Sequence, residues 1–237
     1  MADPQARVVI VTGASRGIGA AIVAEYRRLG WAVVANSLTI KPSEDRDVLT
    51  VAGDIAGSST TDRIIDEALD RFGRIDTLVN NAGLFISKPF TAYTAGDYAS
   101  VVGVNLTGFF VLTHRVIAEM LNRGHGHVVN ITTTLAEYAN ATVPAVLTAL
   151  TKGGLVSATK SLAIEYASRG IRINAISPGI IQTPDTAPES YDSLTGLLPL
   201  GRVGQIGDVV DGVLFLESSP FITGEVLHID GGQSAGH

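Results

Sequence analysis

The sequence predicts an α/β fold, a doubly wound parallel sheet of about seven strands with helices on both faces. Three observations carry this. Strand-like and helix-like segments alternate from end to end, the pattern of successive βα units. The strand candidates are short β-branched apolar runs, which suits strands buried on both faces. The composition, 46% hydrophobic and 17% charged over 237 residues, supplies a core large enough for one α/β domain spanning 1–237.

The elements follow in order. Residues 8–11 (VVIV) form a strand, and 18–29 a helix that stops at Gly30. A second strand covers 32–35, a polar loop 41–47 (KPSEDRD), and a third strand 48–51. A helix over 62–72 is closed by Gly73, and a fourth strand covers 77–80. The stretch 94–123 reads as two helices or one broken helix. A fifth strand at 128–132 and a long helix at 144–168 come next. A sixth strand at 171–176, a helix at 207–216 and a seventh strand at 226–229 complete the pattern. Residues 178–206, with Pro178, Pro184, Pro188 and Pro199, lack periodicity; loops of that length are commonly lids.

Bulk properties exclude several classes. The net charge of −6 gives no electrostatic case for nucleic acid. The absence of cysteine removes disulfides, thiol catalysis and thiolate metal sites together. The opening MADPQARVV holds no signal-peptide apolar region, and no uninterrupted apolar run reaches bilayer length, so the chain reads as cytoplasmic. His125 and His127 bracket Gly126 and read as a polar turn, too few ligands for a metal. His114, on an apolar helix, reads as a packed residue.

The first strand runs into Gly13, Gly17 and Gly19 and then a helix, which aims free backbone N–H groups at an anion such as a pyrophosphate. Gly13 permits the tight turn, Gly17 a close backbone approach, and Gly19 close packing of helix on strand. The spacing G-x-x-x-G-x-G differs from the general dinucleotide fingerprint. With NNAG at 80–83, VNLTG at 104–108, SPG at 177–179 and FITGEVLHIDGG at 221–232, TGASRGIG at 12–19 resembles the short-chain dehydrogenase/reductase family, in family order over nearly the whole chain. Within it the chain is similar to the 3-oxoacyl-carrier-protein reductase type. The resemblance implies a Rossmann-type fold, a nicotinamide cofactor, a small-molecule substrate under a lid at 178–206, and a homodimer or homotetramer built through the long helix.

A ribose with a free 2′-OH is usually held by a carboxylate after the second strand; here stand Asn36, Ser37 and Leu38. Arg16 can pair with a 2′-phosphate through its planar fork, so NADP(H) is favoured over NAD(H). Leu38 stands where many NADP-preferring relatives carry a second basic residue, and Lys41 is the substitute at hand. The resemblance places Ser15 and Ile18 in the phosphate loop and Asp54 and Ile55 at the adenine. It places Asn81, Ala82 and Gly83 along the adenine-ribose side, and Pro178, Gly179, Ile180 and Thr183 at the nicotinamide amide and phosphates.

In the family an asparagine holds a water, a serine hydrogen-bonds the substrate oxygen, a tyrosine handles the proton, and a lysine four residues later binds the nicotinamide ribose. By motif, Asn105 and Lys152 match the first and last. Thr133 is the candidate for the serine, with Thr134 beside it. The tyrosine position holds Thr148, whose alcohol is a far weaker acid than a phenol with its reference pKa of about 10. Tyr138 is the nearest substitute phenol, with Tyr93 and Tyr191 behind it. Three readings follow: a substitute phenol; hydride chemistry on an imine or activated C=C that needs less proton donation; or an NADP(H)-binding sensor without turnover. The acids Asp185, Glu189 and Asp192 in the lid would not oppose a cationic substrate.

Overall fold

In the computed structural model, which describes residues 6–184 and 195–236, seven parallel strands form one sheet in the order β3-β2-β1-β4-β5-β6-β7. The strands are β1 (Val8–Thr12), β2 (Ala32–Ser37), β3 (Val48–Ala52), β4 (Thr77–Asn80), β5 (Gly126–Ile131), β6 (Ile171–Pro178) and β7 (Val226–Ile229). The helices are α1 (Gly17–Arg28), α2 (Ser58–Phe72), α3 (Ala95–Val102), α4 (Phe109–Arg123), α5 (Val146–Tyr166) and α6 (Ile206–Ser218). Asp185, Pro188, Glu189, Tyr191 and Asp192 lie outside the described residues.

Both sheet faces are apolar, which explains why β1, β2 and β4 read as continuous hydrophobic runs. On one face Ile10, Val34, Leu78 and Val128 pack under Ile64 and Ile65 of α2 and Leu112, Val116 and Met120 of α4. On the other, Val9, Val11, Val33 and Val129 pack under Ile22 and Tyr26 of α1 and Val209, Val213 and Leu216 of α6. Each such side chain taken fully from water contributes roughly 1.5–3 kcal/mol. The reversal of strand order beside β1 puts the C-terminal ends of β1 and β4 around a crevice.

Several boundaries move, each for a local reason. α2 starts at Ser58, four residues before the expected 62, because Thr60 and Thr61 are buried helical residues despite their polarity. α5 starts at Val146 rather than 144, and its last residues, Ala167–Arg169, tighten into a 3-10 turn. β6 continues to Pro178, where Ser177 and Pro178 are in register with His228 and Ile229 of β7. α3 and α4 are one helix interrupted by a π turn at Gly103–Gly108, the break anticipated in 94–123. Helical residues Ala95–Arg123 meet the length and mean hydropathy needed to cross a bilayer, although the stretch is interrupted by polar and charged residues. Here Val101, Leu112, Val116, Ile117 and Met120 of that stretch bury themselves in the core.

Two histidine expectations are corrected. His127 is not in a polar turn but within β5, opposite Thr77, and only 3% exposed. Its Nδ1 lies 2.9 Å from the Glu217 carboxylate, which also accepts from Tyr26 (3.0 Å) and Thr77 (3.1 Å). Its Nε2 faces the Asn174 Nδ2 donor at 3.2 Å. His114 is exposed rather than packed, stacked on Phe110 with ring centroids 6.2 Å apart.

Candidate active site

The glycine turn between β1 and α1 opens a cleft of about 470 Å³ at the C-terminal ends of the strands. Gly13 and Gly17 adopt φ of +65° and +56°, the left-handed region that favours glycine. A Cβ on Gly19 would lie 2.2 Å from the Gly13 carbonyl oxygen, so α1 docks this closely only on glycine. A Cβ on Gly17 would meet nothing within 4 Å, leaving open space over the backbone. The first turn of α1 has no side-chain cap and no acidic residue, so its positive end is left for an anion. These features fit a pyrophosphate.

The cleft collects most of the expected cofactor residues: Gly13, Ser15, Arg16, Gly17, Ile18 and Gly19 on the first turn, Ser37 after β2, Asp54 and Ile55 after β3, and Asn81, Ala82 and Gly83 after β4. Thr183 reaches it from the far side. Hydrogen bonds fix these walls together. Asn81 Nδ2 donates to the carbonyls of Thr12 (2.9 Å) and Gly13 (3.2 Å), and Thr12 Oγ1 accepts from the backbone N–H groups of Asn81 and Ala82. The Ser15 and Ser37 hydroxyls are 2.9 Å apart across the rim. Asn36 spends its amide on the Val51 and Gly53 carbonyls, and Asp54 accepts from the Ala56 N–H.

Pro178, Gly179 and Ile180 stand one layer back rather than on the cleft. Gly179 donates its N–H to the Ile229 carbonyl at 3.0 Å, and Ile180 packs against Leu198 and Val203. Gly53, Leu84 and Val104 line the cleft and were not anticipated. Each neighbours a predicted residue, and their contribution is backbone or apolar surface, which leaves no chemical mark in a sequence. Larger clefts, about 680 and 560 Å³, lie elsewhere, the first at the N-terminal ends of the strands. The second borders the first turn of α6, but there the helix end is already capped, with acidic Asp208 in its first turn.

Behind Gly83 lies a compact polar cluster. Lys152, 7% exposed on α5, donates from Nζ to the Ile131 carbonyl at 2.7 Å. Burial pushes its ammonium down to about 8. A Cβ on Gly83 would come within 3.1 Å of Nζ, so the glycine brings the cleft wall close to the cation. Asn105 is presented by the π turn; its Oδ1 accepts from Leu84 N–H (2.8 Å), and its Nδ2 donates to the Leu84 carbonyl (3.1 Å) and Thr151 Oγ1 (3.0 Å). Thr151, also unanticipated, passes its own hydrogen to the Leu147 carbonyl at 2.8 Å.

The three threonines after β5 differ in what their hydroxyls already do. Thr132 donates to the Ile176 carbonyl at 2.8 Å, and Thr134 bonds Gln233 at 3.2 Å. Among the described residues Thr133 accepts from Leu135 N–H at 3.3 Å and donates to none. Thr148 sits one helical turn before Lys152, 4% exposed, with its Oγ1 buried and without a partner among the described residues. Tyr138 is half-buried at the end of the same loop as Thr133, its N–H on the Thr134 carbonyl. Tyr93 is engaged elsewhere, its hydroxyl donating to the Ile86 carbonyl at 2.7 Å.

A family model described as enoyl-(acyl carrier protein) reductase matches residues 13–234. A 3-oxoacyl-[acyl-carrier-protein] reductase of Synechocystis is 34% identical, with 96% of each chain covered. The solved structure described as ElxO with NADP bound superposes with a TM-score of 0.91 at 29% identity, covering 98% of this chain and 100% of that one. A 3-ketoacyl-(acyl-carrier-protein) reductase from Brucella melitensis complexed with NADH gives 0.87 at 28% identity, with coverage of 98% and 100%. With the glycine turn, the sheet order and the lysine-bearing helix in place, the chain belongs to the short-chain dehydrogenase/reductase family of nicotinamide-dependent oxidoreductases.

Proposed function

We propose that the protein is an NADP(H)-dependent oxidoreductase with an altered proton donor, Thr148 standing where the family tyrosine is expected, that acts on a carbonyl, an imine or an activated C=C. One observation carries this reading. Lys152 and Asn105 stand directly behind Gly83 of the cleft wall, and among the described residues the one a turn before the lysine offers a buried, unpartnered alcohol. An orphaned buried hydroxyl costs about 1–3 kcal/mol and is relieved by a ligand atom that bonds it.

The nucleotide, when bound, supplies or accepts the hydride. The glycine turn and α1 would hold its pyrophosphate, with Ser15 and Ile18 in that loop. Arg16 and Ser37 would receive the 2′-phosphate, Asp54 and Ile55 the adenine, and Asn81, Ala82 and Gly83 the adenosine side. Lys152 would bind the nicotinamide ribose, with Pro178, Gly179, Ile180 and Thr183 behind the nicotinamide amide. The absence of a carboxylate after β2 supports NADP(H), and a structural relative carries NADP. Thr133 donates to the substrate oxygen or nitrogen, and Thr148 adds a second hydrogen bond. A threonine does not release its proton near neutral pH, so ketone reduction by the usual route loses about 10²–10⁴ in rate. Tyr138 is the phenol nearest in the chain to take over that task. An imine, already cationic when protonated, needs no such donor. In this reading the enzyme is a cytoplasmic homodimer or homotetramer acting on a small molecule. Exposed Phe110 on α4 and Val146, Leu150 and Ile164 on α5 supply an apolar face for assembly.

The test combines NADPH binding by fluorescence with turnover on a ketone, a cyclic imine and an enone, for wild type, Tyr138→Phe and Thr148→Tyr. Expected are binding in all three, imine or enone turnover in wild type, and a gain of at least about tenfold on the ketone in Thr148→Tyr. Ketone activity in wild type that vanishes in Tyr138→Phe assigns the proton to Tyr138. Tight binding with no turnover on anything overturns the enzyme and leaves a nucleotide sensor.

A further inference from the structure

We infer that Gln233, in the C-terminal tail, is a positioning residue of the candidate site, holding the loop that carries Thr133 and Tyr138 against the turn at Gly179. Although near the chain end, Gln233 is only 2% exposed. A buried amide needs partners, and Gln233 has one at the site: its Oε1 accepts from Thr134 Oγ1 at 3.2 Å, across 99 residues. The same oxygen would lie 2.9 Å from a Cβ on Gly179, as would the Asp230 Cα, so the amide occupies the volume left by that glycine.

The tail is built to present this side chain. Gly231 and Gly232 have φ of +63° and +91°, and the Asp230 carboxylate accepts from the N–H groups of Gly232 (2.9 Å) and Ser234 (2.8 Å). The resulting tight turn points residue 233 inward. A second tether, His228 Nε2 to Glu137 Oε1 at 3.3 Å, reaches the far end of the same loop.

The loop depends on such ties. The backbone bonds from the N–H groups of Ala136, Glu137 and Tyr138 run to the carbonyls of Thr133 and Thr134, within the loop itself. These bonds shape a 3-10 turn, and the contacts of Thr134 and Glu137 with Gln233 and His228 tie it to the tail. Thr134 is bonded to Gln233 and covalently joined to Thr133, so a shift of one moves the other. Misplacing a substrate-binding group by about 1 Å can cost about 10² in rate. The inference rests on the proposed reading of Thr133 as a substrate-contacting residue.

The test uses the full chain with three substitutions. Gln233→Met keeps the length and removes the acceptor, Gln233→Glu keeps an acceptor oxygen, and Thr134→Val removes the donor. Amide hydrogen exchange of peptides covering 133–138 is followed with NADPH present, alongside NADPH affinity and kcat and KM on the substrate turned over in the panel above. Gln233→Met and Thr134→Val should each speed exchange of the loop about fivefold, the equivalent of one net hydrogen bond. The double variant should go no further, and Gln233→Glu should return to near wild type. NADPH affinity should hold within about twofold while kcat falls about tenfold. Unchanged exchange in both single variants, additive effects in the double, or faster exchange with kcat intact each overturn the positioning role. Should Gln233→Met fail to fold, Thr134→Val alone still decides the exchange comparison. If wild type turns over nothing, the proposed function fails and the catalytic half of the inference with it, while exchange still decides whether Gln233 holds the loop.

Discussion

Lys152 is a cation kept where water is scarce, and its cost can be read from its titration. Burial lowers it from 10.5 to about 8, so at pH 7 it is charged both folded and unfolded, and the folded state bears the desolvation. The sign follows. Between about 8 and 10.5 the unfolded chain binds the proton and the folded chain does not, so wild-type stability rises with pH across that window. A 2.5-unit shift is worth roughly 3 kcal/mol. Removing Nζ also orphans the Ile131 carbonyl, at about 1–3 kcal/mol. Lys152→Met should therefore be more stable than wild type by about 1 kcal/mol at pH 7, with the advantage gone by pH 10.5, in urea titrations at the two pH values. NADPH affinity should fall at least about tenfold in the same variant. Lys152 and Asn105 could be singled out from the sequence because each sits inside a short motif, TKGG and VNLTG. Thr151 and Gln233 could not be. The first matters because a π turn swings Asn105 toward it, the second because two left-handed glycines bring the tail back to β5.

Among the elements, the β1–α1 junction is the most tightly specified. Gly19 cannot carry a methyl group, because the obstacle at 2.2 Å is the backbone carbonyl of Gly13, with the Asn81 amide at 2.6 Å. Gly19→Ala should destabilise by about 3 kcal/mol, measured by chemical denaturation, and weaken nucleotide binding, since α1 must move off the turn. By contrast, a methyl at Gly83 meets the flexible end of Lys152 at 3.1 Å. Gly83→Ala should leave stability within about 1 kcal/mol while lowering NADPH affinity, by isothermal titration, as Nζ is displaced. At this scale the sequence was a good guide to which elements exist and a poorer one to their ends. β4 and β7 fall where expected, since their apolar runs are cut off sharply by other residues. α2 begins early because its first turn is Ser-Ser-Thr-Thr, whose composition argues for a loop until Thr60 and Thr61 are seen packed beneath it.

For the molecule as a whole, the base of the sheet is as organised as its mouth. Glu217 of α6 gathers Tyr26 of α1, Thr77 of β4 and His127 of β5 on one carboxylate, and His127 leads on to Asn174 of β6. Asn174 is oriented by donating to the Ile222 carbonyl and accepting from Glu225 N–H, so its Nδ2 hydrogen points at His127 Nε2, which must accept. His127 is thus neutral with its hydrogen on Nδ1. Burial lowers its pKa against the pull of Glu217. Burial raises that of Glu217, but the hydrogen bonds from His127, Tyr26 and Thr77 outweigh it and hold the carboxyl low. With the folded histidine lowered, stability is fully present above an unfolded pKa of about 6.5 and is lost as pH falls through the folded value. His127→Gln, which does not titrate, should flatten that acid limb in melting curves from pH 7 to 5 without changing NADPH affinity at pH 7. Nothing in a GHGH stretch announces this, because the partners lie 47 and 90 residues away, on the neighbouring strand β6 and near the end of α6.

That arrangement has a bearing on ancestry. The groups that knit the strands together at the base have no share in the cleft at the mouth, which has its own set of ties. A descendant of this scaffold can therefore change side chains at its working end and still fold, so that new chemistry is explored by chains that survive the experiment.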